Sequence, residues 1–175
     1  MSYRTELALA VLLGLLVLVA SPATLALSSD KDQPIDIEAD SVDIDESKGQ
    51  SIYVGNVKVT QGSIRLLADR VTVFHTDGDP QKFIATGEPA RFRQMPDNSD
   101  VPIQARALRM EYVINGDLVT LIEQAVVLQG KDTMRSDRIV WDRVRGKVKG
   151  GLAAEGKQRV KMTFQPKKST AEETE

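Results

Sequence analysis

Cysteine is absent from the 175 residues. No disulfide can staple the chain, and no thiolate can hold a soft metal. Histidine occurs once, as His75. One imidazole without a thiol leaves no zinc site. A histidine-based triad would have to join His75 to Ser63 or Ser136, and neither serine lies in a nucleophile-elbow pattern. Neither charge sign is in excess: 23 Lys+Arg against 25 Asp+Glu give a net charge of −2. That argues against a nucleic-acid binder, which carries a basic surplus. Aromatics are scarce at 5%, so any core must rely on Val, Ile, Leu and Ala. Sustained helical periodicity is missing after the N-terminal region, which excludes a helical bundle.

One long apolar run is present. Residues 7–20, "LALAVLLGLLVLVA", follow Arg4 and have the length of a secretory h-region, short for a membrane span. Small residues follow in "SPATLALSSD". We expect a signal peptide over residues 1–26, cut after Ala26, with Ala23 as the alternative site and a retained membrane anchor as the alternative reading. An exported chain without cysteine suits a bacterial periplasm. A single domain is expected over residues 27–164. Residues 165–175, "QPKKSTAEETE", are polar and aperiodic and read as a disordered tail.

What fills the domain is alternation. In "SIYVGNVKVTQGSIRLLADRVTVF" (51–74), apolar and polar residues alternate through Ile52, Val54, Val57, Val59, Ile64, Leu66, Val71 and Val73, the period of half-buried strands. Turn signals recur at Gln61-Gly62, Asp77-Gly78, Asn115-Gly116, Gln129-Gly130 and Arg145-Gly146. Four stretches repeat one shape: "IEADSVDID" (37–45), "LLADRVTVF" (66–74), "IQARALRME" (103–111) and "MRSDRIVWD" (134–142), each followed by a turn and a return segment. In the clearest pair Gly62 matches Gly130 and Asp69 matches Asp137, 68 residues on. Parity slips occur near Gly55-Asn56 and Glu123-Gln124. A bulge at each would bend the strand and keep its apolar side inward, so that Ile52 and Val54 join Val57 and Val59, and Leu121 joins Val126 and Leu128. Stacked bent hairpins then make two facing sheets. The large inward fillers are expected to be Phe74, Phe83, Phe92, Tyr112, Trp141 and Phe164. The space between the sheets could close as a plain core, in a structural β-repeat or scaffold module, or stay partly open as an apolar groove for a long-chain ligand.

Polar clusters offer little chemistry. "DIDES" (43–47) and "DGD" (77–79) could ligate calcium but lack the remaining ligands of a known loop. The basic runs "KDTMRSDR" and "RVRGKVKG" read as solvated strand faces or as contacts to anionic lipid phosphates.

"DQPIDIEADSVDID", "GNVKVTQGSIRLLADRVTV", "GEPARFRQ" and "QGKDTMRSDRIVWD", in this order over about residues 32–164, resemble the LptA (OstA-like) family of periplasmic lipopolysaccharide transport proteins. The resemblance implies an all-β, twisted antiparallel β-jellyroll with a V-shaped two-sheet architecture and open strand edges at both ends. It implies binding of lipopolysaccharide (lipid A) without catalysis, cofactor or metal, and end-to-end self-association into a bridge from LptC at the inner membrane to LptD at the outer. The edges would be "PIDIEA" (34–39), where Pro34 suits the start of an edge strand, and "RVKMTF" (159–164). Acyl chains would meet Ile35 and Ile37 at the N-terminal mouth, then Phe92, Tyr112 and Ile114, with Val57, Val59, Val71, Val73, Leu121, Val126 and Leu128 lining the rest.

Overall fold

The computed structural model describes residues 30–96 and 99–166. The expected signal peptide, and the tail from residue 167 on, lie outside the described residues. Ten strands form one antiparallel sheet: β1 Asp36–Glu38, β2 Ser41–Asp45, β3 Gln50–Gln61, β4 Ile64–Thr76, β5 Asp79–Gln94, β6 Ile103–Val113, β7 Leu118–Gln129, β8 Asp132–Asp142, β9 Lys147–Gly150 and β10 Lys161–Thr163. The path runs β1-β3-β4-β5-β6-β7-β8-β10, with β2 also on β3 and β9 also on β8. Neighbours in sequence are mostly neighbours in space, because two-residue turns such as Gly62-Ser63 and Gly130-Lys131 join long strands. Both turn glycines adopt positive φ, 54° and 60°, a conformation that costs other residues.

The sheet does not close; it folds over along a crease. Gly55 and Asn56 together oppose Asp69. Glu123 and Gln124 together oppose Asp137. Gly87, Glu88 and Pro89 oppose Leu108 alone. Gly55, Asn56, Glu123 and Gln124 all have positive φ. Two residues opposite one kink a strand and tighten its twist. Because these irregularities fall side by side on successive strands, the kinks add into one fold line. The resulting two limbs face each other with Val, Ile, Leu, Ala and Met inward. One limb holds β1, β10, the C-terminal halves of β3, β5 and β7 and the N-terminal halves of β4, β6 and β8. The other holds β2, β9 and the remaining halves. We call them the β1 limb and the β2 limb.

The crease corrects one expectation. The bulges sit where the parity slips are, but they do not bring both apolar sets inside. On β3 the inward side chains Tyr53 and Val57 lie four positions apart, an even step that keeps the face; on β4 Ala68 and Val71 lie three positions apart, an odd step that switches it. The phase change therefore falls on the partner strand. Ser51 and Tyr53 face in, while Ile52 and Val54 face out and Val54 is 40% exposed. The same offset 68 residues later places Ala125 and Val127 inward and turns Val126 and Leu128 to the opposite face. Phe74 shares the outward parity of β4, whose inward residues there are Val71 and Val73, and Phe164 lies exposed beyond β10. Phe83, Phe92, Tyr112 and Trp141 face inward as expected.

Polar contacts pin the two ends. Asp30 accepts hydrogen bonds from the Ser63 amide (2.6 Å), the Ser63 hydroxyl (2.8 Å) and the Gln94 amide group (2.8 Å), tying the segment before β1 to the β3–β4 turn and the end of β5. At the far end the buried Ser136 hydroxyl accepts from the Gly151 amide at 3.0 Å, seating the turn between β9 and β10.

Candidate functional site

Between the limbs runs an apolar trough. Toward its β1 end a cavity of about 70 Å³ has Ile35, Val59, Ile64 and Leu66 on the β1 limb, facing Phe83, Ala85, Met110 and Tyr112 on the β2 limb. Toward the β9 end a cavity of about 250 Å³ has Ile103, Ala105 and Val127 opposite Leu121, Ile139, Trp141 and Val148. Phe92 and Val119 belong to both and stand between them. The trough thus runs across the strands, from one sheet edge to the other. Its long side opposite the crease is rimmed by hairpin turns. Glutamines alternate with isoleucines along the β1-limb rim, in the paired row Gln61, Ile64, Gln94, Ile103 and Gln129.

The β2-limb rim carries the charge. Arg143 lies over the rings of Tyr112 (5.9 Å) and Trp141 (5.6 Å) and pairs with Asp117 at 3.2 Å. The Tyr112 hydroxyl donates to the same carboxylate at 3.2 Å. Burial, then the Asp117 charge, push the Tyr112 phenol up to about 12 despite Arg143. Tyr112 is therefore a neutral donor at any physiological pH, and Arg143 presents an aromatic-backed, mostly compensated cation at the mouth.

The expected lining residues separate into three sets. Ile35, Val59, Phe92, Tyr112 and Leu121 border the cavities. Val57, Val71 and Val73 are at most 2% exposed and form the packed floor, and Ile37 and Ile114 are partly buried against the same cluster. Val126 and Leu128 belong to the outside face for the reason given above. Residues missed as lining include Met110, Val119, Val127 and Ile139. Val127 hides in "AVVL" (125–128), where four successive apolar residues give no alternation to read.

The other candidates dissolve into local structure. The His75 Nε2 lies 3.1 Å from the Ser51 hydroxyl, not from Ser63 or Ser136. Asp45 is spent on the Ser47 hydroxyl and on Lys48, whose side chain is the main reason its carboxyl ionises below the usual range. Among the described residues no group of His, Cys, Asp and Glu is placed to hold a metal. On the outer β2 limb, Glu111 receives Lys82 and Arg109, each at 2.7 Å. Burial would raise its pKa, but those two partners outweigh it and leave it lowered. Its stabilisation is then complete above the ordinary glutamate value of about 4.3 and is lost as pH falls through the lower folded value. Glu111→Gln is expected to flatten the acid limb of the stability–pH curve there, measured by urea unfolding between about pH 5 and pH 3.

Among the described residues β1 and β2 pair only with β3, and β9 and β10 only with β8, so each end of the sheet shows a backbone edge with no partner strand. Apolar side chains stand exposed beside both: Val42 and Ile44 at one end, Met162 and Phe164 at the other.

These features define the class: a creased one-sheet β-jellyroll, apolar inside and, among the described residues, with no partner strand beyond either end. The chain belongs to the family described as LptA/(LptD N-terminal domain) LPS transport protein, whose model matches residues 36–147. It is 35% identical over 166 residues to the lipopolysaccharide export system protein LptH of Pseudomonas aeruginosa, covering 91% of this chain and 95% of that one. It is 35% identical over 144 residues to the lipopolysaccharide export system protein LptA of Escherichia coli, covering 81% and 77%. The crystal structure of P. aeruginosa LptH superposes with a TM-score of 0.72 at 33% identity, covering 79% of this chain and all of that one.

Proposed function

We propose that this chain carries lipopolysaccharide through the periplasm, holding acyl chains in the trough while sugars and phosphates stay in water. The observation that carries the reading is the apolar lining of the facing limbs, which holds two cavities side by side across the strands with only Phe92 and Val119 between them. At ~0.8 kcal/mol per buried methylene, about ten methylenes of one acyl chain supply ~8 kcal/mol before the cost of parting the limbs. The larger cavity, about 250 Å³, falls below the ~300–1,000 Å³ of ordinary ligand pockets. Loading therefore requires the limbs to separate about the crease. The chemistry is binding, without a bond-making step. Residues 1–26 act as the export signal. The two open edges join copies of the chain end to end and meet LptC and LptD domains by strand addition, each edge supplying the unpaired backbone groups the other needs.

Purified protein mixed with lipid A and measured by native mass spectrometry is expected to carry bound lipid. A folded protein that takes up none would return the trough to a plain core and the chain to a structural module. Concentration-dependent assembly by light scattering is expected in parallel, and should disappear when β10 is interrupted by Met162→Pro, which removes an edge amide.

A further inference from the structure

The outer face of the β1 limb carries charge that the carrier reading leaves unexplained. Arg65 on β4 is directly opposite Arg93 on β5, and Arg91 on β5 is directly opposite Arg106 on β6. Arg135 on β8 lies two strands beyond Arg106, across Val126, with Lys161 of β10 as its own opposite partner. All five arginines are exposed. None lies within ion-pair distance of a carboxylate among the described residues, where the cations that do pair are Lys48, Lys58, Lys82, Arg109, Arg143 and Arg145. Directly opposed like charges in a sheet are destabilising, and here the arrangement occurs twice side by side. The five surround a shallow depression of about 550 Å³ floored by Val126, Leu128 and Leu67. Arg65 is steadied at the rim by donating to the Gly62 and Ile64 carbonyls at 2.6 and 2.7 Å.

Position turns this patch into a site. On the outer face Arg65 and Arg93 lie one residue in from Ile64 and Gln94 of the rim row, toward the crease, and Arg91 and Arg106 form the next outward-facing row. A lipid whose tails enter the trough over that rim lays its headgroup on this face. We propose that the arginine face binds the phosphate groups of the lipopolysaccharide held in the trough, which deepens the carrier reading and rests on it. Guanidinium forks match phosphate oxygens bidentately. A multiply charged anion also relieves the mutual repulsion of the unpaired arginines, so the free protein is strained toward binding. Phosphate recognition outside and alkyl burial inside then select a phosphorylated glycolipid over a fatty acid or neutral lipid.

The test compares wild type with the Arg91→Gln/Arg106→Gln double variant, which removes an opposed pair of like charges and is expected to unfold no more readily than wild type. Affinity is measured for bis-phosphorylated lipid A and for the same lipid after phosphatase treatment. Wild type is expected to prefer the phosphorylated form about tenfold at low salt, and the double variant about equally. A preference that survives in the double variant overturns the assignment while leaving the carrier reading in place. Uptake of neither lipid by wild type defeats the carrier reading and this one with it. Binding of phosphatidylglycerol vesicles as tight as that of lipid A, lost in the double variant, would assign the face to a membrane surface and overturn the headgroup site.

Discussion

Gly55→Ala is expected to lower stability by about 2–3 kcal/mol and the melting temperature by on the order of 10 °C, far more than the same exchange at Gly78. The two glycines have nearly the same backbone, φ 83° and 86°. Each therefore charges a side chain the left-handed penalty of roughly 1–2 kcal/mol. Their surroundings differ. An added Cβ at Gly78 meets nothing within 4 Å, whereas at Gly55 it lands 2.2, 2.8 and 2.9 Å from the Asp40 Oδ2, Cγ and Cβ. Asp40 cannot simply swing aside. Its carboxylate accepts from the Asn56 amide group at 2.8 Å and its backbone amide donates to the Gly55 carbonyl at 3.0 Å, joining the β1–β2 break to the β3 bulge. Gly55→Ala therefore attacks the first unit of the crease, and Gly78→Ala only a turn. Thermal and urea unfolding of both variants decide the matter; equal losses would mean that the Asp40 contact contributes nothing to the fold line.

The crease also shows how far the sequence could be read. Gly55-Asn56 and Glu123-Gln124 were legible as slips in an alternating pattern, and the 68-residue repeat fixed their equivalence. The choice of face was not legible. Whether a bulge preserves or switches parity depends on how many residues the opposite strand spends across the crease, four against three here. That is a property of the pair, not of either strand. Where a partner's alternation was clear, as at Val71 and Val73, burial followed the pattern. Where several apolar residues ran together, as at 125–128, the face was decided by cross-strand register alone, and Val126 and Leu128 went to the arginine side. Of the arginine face only Arg135, within the basic run 131–138, was legible as a phosphate contact; its assembly with the other four arginines was not, for the same reason. Its members come from β4, β5, β6 and β8, and only the registers place them together.

An aspartate in place of Ile37 is expected to weaken lipid A binding at least tenfold, about 1.4 kcal/mol, while the protein stays folded. Ile37 faces inward on β1, opposite Val59 of β3; β1 has three residues and, among the described residues, pairs only with β3. It is partly buried against the cluster at the mouth that Ile35 borders. A carboxylate there remains within reach of water in the free protein, so folding loses little. Once acyl chains fill the mouth that water is excluded, and the charge must be desolvated or protonated, so the penalty falls on the complex. Ile37→Val keeps the surface apolar and should bind nearly as wild type does. Glu38→Gln changes charge one residue away on the outward face, opposite Lys58, and should leave lipid binding alone. Titration of lipid A against the three variants, with melting curves to confirm folding, shows whether acyl chains reach this end of the trough. If Ile37→Asp is folded and binds as tightly as wild type, the acyl chains do not reach the β1 end of the trough, and the β1 edge serves assembly alone.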